Sequence, residues 1–145
     1  MFRTMTLEDE IRKTIDFRVE AVRRKDVEAL IALYAPEAMT FDLVAPLWNA
    51  GREAVRRRVE EWFASFRTTI DYELRDIRLF VSGDLAHDHH LVHVRGTTQA
   101  ASTVDMWFRE TVGYERRREH WLVTHQHSSV PIDMKNGKGV LDLRP

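Results

Sequence analysis

Cysteine is absent from the 145 residues. That excludes disulfides, thiolate metal ligands and a cysteine nucleophile, and it identifies no compartment. An excess of one charge is missing too. Lys and Arg number 22 against 23 Asp and Glu, a formal net charge of −1, so no bulk field favours nucleic acid or an anionic membrane as partner. No apolar run is long enough to span a bilayer. The opening MFRTMTLEDE turns acidic and amphipathic at once, without the apolar core of a signal peptide, so the expected location is cytoplasmic. Glycine-rich phosphate loops, nucleophile elbows and Walker motifs do not occur, nor do repeats, linkers or low-complexity segments. What remains is ordinary globular composition, with a hydrophobic fraction of 43% and a charged fraction of 31%. The expectation is one domain over residues 1–145, with its core in 6–131 and a loose tail over 132–145.

The last third, VDMWFRETVGYERRREHWLVTHQHSSVP (104–131), organises the rest. Two alternating runs rich in β-branched and aromatic residues flank a charged break at 115–119 and read as a long antiparallel hairpin. Strand parity puts Asp105, Trp107, Arg109 and Thr111 on one face with Trp121, Val123, His125, His127 and Ser129. Met106, Phe108, Glu110 and Val112 share the other with Leu122, Thr124, Gln126 and Ser128. Both faces mix apolar and polar residues, so the sheet is expected to be covered on both sides.

Upstream, Thr6 or a neighbour caps a helix whose first turn carries Glu8, Asp9 and Glu10 and whose stripe is Ile11, Ile15, Val19 and Val22. Asp26 caps a second helix over 27–34, which Pro36 stops. A strand over 39–44, a loop ending at Gly51 and a third helix over 52–66 follow. In that helix the Arg56, Arg57, Arg58 run reads as a solvated face. Strands over 70–81 and 85–95 precede the hairpin. The order predicts an α+β fold, a curved antiparallel sheet wrapped around three N-terminal helices as a cone with a pocket at its open end.

Two stretches carry a family resemblance. LYAPEAMTFDLVAPLWNAGREAVRRRVEEWF (33–63) resembles the helix end, first strand, loop and third-helix start of the nuclear-transport-factor-2-like superfamily, in its SnoaL-like and ketosteroid-isomerase-like branch. ETVGYERRREHWLVTHQHSSVP (110–131) is similar to the last hairpin of SnoaL-like proteins and of the calcium/calmodulin-dependent kinase II association domain, where W-x-x-x-H-x-H-x-S-x-P recurs. The resemblance implies the cone fold. It leaves function open between isomerases, cyclases, dehydratases, hydrolases and non-catalytic assembly domains. It places Asp42 on the isomerase's catalytic base. The oxyanion-hole tyrosine falls on Arg18, or on Phe17 with a one-residue shift, and the hole's protonated aspartate falls near Glu110. The association domain's pocket arginines fall on Val92, Val112 and Ser128, so its anionic-pocket chemistry does not carry over.

The candidate catalytic residues are therefore Asp42, His90 and Glu110. Asp42, between Phe41 and Leu43, suits a desolvated general base; the alternative is a carboxylate that caps the loop or pairs with an arginine. Parity separates His87, His89, Leu91, His93 and Arg95 from Ala86, Asp88, His90, Val92 and Val94. The resemblance turns the second set inward with Phe108, Glu110, Gln126 and Ser128. The expected rows are His90, Phe108, Gln126 and then Asp88, Glu110, Thr124, with His90 either shuttling protons or hydrogen-bonded for structure. Trp48, Trp62, Asp88, Phe108, Gln126 and Ser128 are the candidate ligand-binding residues. The outer rows are expected to be His89, Arg109, His125; Leu91, Trp107, His127; and His93, Asp105, Ser129. Arg109 among these histidines opposes a cation, so no metal and no cofactor are expected. A homodimer through the face bearing Trp107, Arg109, His125 and His127 is expected instead. If the faces are reversed, that set becomes the pocket. Two readings of function stand: proton transfer on a hydrophobic carbonyl compound, or a non-catalytic ligand-binding or assembly module.

Overall fold

The computed structural model describes residues 4–145. Its first helix, α1 (Leu7–Arg23), begins in a reciprocal cap: Thr6 Oγ accepts from the Asp9 N–H at 3.0 Å, and the Asp9 carboxylate accepts from the Thr6 N–H at 3.1 Å. Ile11, Ile15 and Val22 are buried along one face, and Arg18 is buried with them. Asp26 then caps α2 (Val27–Ile31) by accepting from the Ala29 N–H. This helix is shorter than the expected 27–34 because Tyr34 already opens β1 (Tyr34–Phe41). Pro36 therefore lies in a strand. It falls where the pairing register of β1 shifts between Tyr34 and Met39, an irregular stretch in which a residue without an N–H is tolerated. β1 ends before the expected 44, since Asp42 turns the chain by accepting from the Leu43 N–H at 2.6 Å. The chain continues through β2 (Asn49–Ala50), α3 (Arg52–Ala64), β3 (Asp71–Ser82), β4 (Leu85–Thr97), β5 (Thr103–Arg117) and β6 (His120–Ser129).

The six strands form one sheet in the order β2-β1-β6-β5-β4-β3. It is mixed, not wholly antiparallel as expected. β1 runs parallel to β6, because the chain returns to β1's edge only after a helix and four strands rather than through a hairpin. The helices cover one face: Ile11, Ile15, Val55, Val59 and Phe63 pack with Val92, Val94, Val112 and Val123 in one core. Two bulges bend the sheet. In β3 the register shifts between Arg75 and Arg78, with Asp76 at φ 57°. In β6 the pairing passes from Gly113–His125 to Tyr114–Val123 and leaves Thr124 over.

The Thr124 bulge corrects the expected faces. Parity reverses there, so Trp121 and Val123 point into the core at 3% and 0% exposure, not outward with His125 and His127. The rows also differ from those expected. Pairing extends to Arg117–His120, and Arg118 and Glu119 alone make the turn, both with positive φ. The expected hairpin had a five-residue break there, and β4 also runs past the expected 95 to pair Thr97 with Thr103, so the rows move at both joins. His90 lies beside Glu110 and Ser128, not Phe108 and Gln126, while Asp88 lies beside Val112 and Gln126. On the outer face His89 pairs with Thr111 and His127, Leu91 with Arg109 and Ser129, and His93 with Trp107. The tail, expected to be loose, forms a short hairpin of β7 (Ile132–Asp133) and β8 (Lys138–Gly139). Beyond it, Arg144 reaches back to Asp105 on the sheet.

Candidate functional site

Strict alternation in β4 and β5 sends Asp88, His90 and Glu110 inward, where all three are buried. They form one chain of hydrogen bonds. His90 Nδ1 contacts Asp88 Oδ1 at 2.6 Å and His90 Nε2 contacts Glu110 Oε1 at 2.9 Å. Tyr114 donates to Asp88 Oδ2 at 2.6 Å. Gln126 Nε2 and Ser128 Oγ both donate to Glu110 Oε2, at 2.8 and 3.2 Å. Tyr34 and Arg18 then donate to Gln126 Oε1, the latter at 3.2 Å.

Burial works against a charge on His90, but its hydrogen bonds to Asp88 and Glu110 outweigh that and push its pKa up from 6.5 to about 9. Burial likewise pushes the Glu110 carboxyl up, and the hydrogen bond from His90 with the nearby Arg18 charge brings it below its ordinary value. At neutral pH His90 is then a cation held beside the Glu110 carboxylate. Both His90 nitrogens carry protons and both are donated, so the ring has no lone pair free to accept another.

Above this network lies a cavity of about 280 Å³ between helices and sheet. Its lining is largely apolar, from Val22, Leu30, Val55, Val59, Phe66, Met106 and Phe108. Of the residues expected from sequence, Asp42, Trp62, Phe108, Glu110, Gln126 and Ser128 line it. Asp88 and His90 sit behind that lining. Trp48 is 54% exposed and faces a separate groove outside, beside Leu47 and His127. Asp42 lies at the cavity's edge, with Arg58 Nε 2.9 Å from its Oδ2 and Leu43 N–H on its Oδ1. The two alternatives named for it, cap and ion pair, are both present.

Arg58, Tyr72 and Arg18 are among the lining residues outside the candidate set. Arg58 was placed on a solvated face, although its side chain is only 19% exposed. Its position four residues before Trp62 and three after Val55 is the signal, because both belong to the apolar stripe. Tyr72 lines the cavity at 8% exposure, at an inward position of β3 that alternation marks. Arg18 replaces the aligned tyrosine inside the cone, while Phe17 is 48% exposed. Among the described residues no group of three His, Asp or Glu side chains is placed to hold a metal ion, and no helix is long and apolar enough to cross a membrane.

Sequence and structure comparisons agree on the class. The SnoaL-like domain family matches residues 11–133, and the chain belongs to that family. It is similar over 98% of its length, at 31% identity and a TM-score of 0.86, to the whole of an NTF2-like protein of unknown function from Pseudomonas putida KT2440. The fold is shared, at lower identity, with an NTF2-like superfamily protein from Salmonella enterica (16% identity, 92% of this chain and 96% of that one, TM-score 0.77). A ketosteroid isomerase-like protein from Erwinia carotovora atroseptica shares it too (17% identity, 83% and 92% covered, TM-score 0.71). No curated protein matches the chain.

Proposed function

We propose that this SnoaL-like protein binds a small, largely apolar, carbonyl-bearing molecule inside the cone and that Asp42 takes a proton from it. The observation that carries the reading is the largely apolar cavity with one accessible carboxylate at its edge, Asp42. Glu110 is buried and has three hydrogen-bond partners, and His90 is behind the lining; Asp42 is 28% exposed at the cavity's edge, with a single side-chain partner, Arg58. We assign both a structural role, as the polar floor that fixes Gln126. Asp42→Asn tests the chemistry. Asn keeps the acceptor for the Leu43 N–H and removes the base, and loss of a positioned general base costs about 10²–10⁴-fold in rate. Turnover would be sought in a panel of apolar ketones and esters. Stability should fall by less than about 1 kcal/mol, the range for a partly exposed ion pair. A variant with unchanged turnover removes Asp42 as the base.

A second reading, binding without turnover, is favoured by the Arg58 contact, which already occupies the Asp42 carboxylate. It predicts ligand affinity with no activity in either protein. Under both readings we propose a homodimer through the outer sheet face. There His93 stacks on Trp107 at 4.3 Å, Arg75 lies over the same indole at 5.6 Å, and Phe80 is 53% exposed.

A further inference from the structure

Arg18 is an anomaly in an apolar cone. It is 7% exposed and lines the cavity. Both of its hydrogen bonds leave from Nη2, to Tyr34 and Gln126. Its buried Nε has no partner, and Nη1 makes no hydrogen bond to any described residue. Three of the five guanidinium N–H bonds are thus open. No carboxylate pairs with it directly, because Gln126 stands between Arg18 and Glu110. Tyr72 adds a second open donor. Its hydroxyl has no hydrogen-bond partner among the described residues, and burial raises its pKa well above the ordinary value, so the phenol stays protonated.

The carboxylate and amide oxygens of the same cavity already face donors: Glu110 faces His90, Gln126 and Ser128; Gln126 Oε1 faces Tyr34 and Arg18; Asp42 faces the Leu43 N–H and lies beside Arg58. The cavity therefore presents open donors on Arg18 and Tyr72, and among the described residues Arg18 has no direct counter-ion. A buried donor without a partner costs about 1–3 kcal/mol, and charge-assisted bonds to a carboxylate relieve that most effectively. We propose that the ligand carries a carboxylate in addition to its carbonyl group, with that carboxylate on Arg18 and Tyr72 and its hydrocarbon body against the Val22, Val59 and Phe108 side. A phosphate ester fits less well, since a doubly charged group would meet one open cation and an otherwise aliphatic and aromatic wall.

This assignment rests on the cone being a ligand site, and the test separates the two. Calorimetric titration at neutral pH would use three probes with one skeleton: 3-phenylpropanoate, 3-phenylpropanamide and 4-phenylbutan-2-one. The carboxylate should bind at least about tenfold tighter than the amide or the ketone, the difference expected of a charge-assisted bond to a buried guanidinium. Arg18→Met should abolish that preference by weakening the carboxylate far more than the ketone, and Arg18→Lys should restore part of it. A ketone that binds the unaltered protein as tightly as the carboxylate overturns the carboxylate assignment and leaves the cone as a ligand site. Failure of all three probes to bind overturns both. The comparison within the unaltered protein decides the matter even if Arg18→Met does not fold.

Discussion

Raising the pH should unlock the buried network around His90 before it affects the rest of the molecule. The ring is 4% exposed and held between Asp88 and Glu110. Its pKa of about 9 lies above the ordinary 6.5. A histidine whose pKa is raised by folding contributes stability that is fully present below its unfolded value and is lost as pH rises through the folded one. The gap from 6.5 to about 9 amounts to on the order of 3 kcal/mol. Stability should therefore fall by about 1.4 kcal/mol per pH step inside that window. Glu110 works in the opposite direction. Its lowered pKa gives stability that is present above the ordinary carboxyl value of 4.5 and is lost as pH falls through the folded one. Together the two groups place the network's best range between pH 4.5 and 6.5.

The assay is urea denaturation across that range for the unaltered protein and for His90→Gln, which keeps a polar side chain and removes the titration. The difference between the two proteins isolates His90 from every other titrating group. It should be largest in mild acid and shrink towards pH 9. The His90 ring proton followed by NMR should titrate near 9. A flat difference across the window, or a ring that titrates at the ordinary 6.5, refutes the claim that His90 is a cation held beside Glu110.

Two further outcomes test packing and assembly. Gly96→Ala would place a methyl 2.6 Å from Cδ1 of buried Phe66, an overpacking that should cost about 1–3 kcal/mol in chemical denaturation; a change near zero would show that Phe66 yields freely. Trp107→Glu should convert a dimer into a monomer in sedimentation equilibrium with its circular dichroism unchanged, and an unaltered protein that is already monomeric at micromolar concentration removes the proposed outer-face interface.

The fold was legible where local signals agree with the tertiary ones. Ile11, Ile15 and Val22 mark the buried face of α1, and the Thr6 and Asp26 caps set two helix starts. Alternation sorted Asp88 with His90 and Glu110 with Ser128, and the family resemblance turned both pairs inward. Neither fixed which of them meet, because the rows depend on loop length, and the last hairpin turns on only two residues. The Thr124 bulge lies opposite Gly113, and a glycine inside a strand pattern was the one local signal of it. The apolar character of Trp121 and Val123 argued for burial, and strict parity overrode it. The β1–β6 pairing was hidden for a different reason: it joins residues far apart in the chain, and no local pattern specifies a parallel neighbour.

The pocket's chemistry was legible in part, and Arg18 shows where the boundary lies. It stands three residues after Ile15 and four before Val22, on the buried stripe of an amphipathic helix. That spacing alone requires a buried guanidinium, which in turn requires acceptors. The sequence does not say how many it finds. The structure supplies two neutral ones, Tyr34 and Gln126, both on Nη2. Gln126 is itself held by Glu110, which is held by His90. The buried network thus orients the amide that orients the arginine, and it leaves the remaining N–H groups open. A charge placed on a buried stripe and then left without a direct counter-ion is what distinguishes a binding residue here from a structural one.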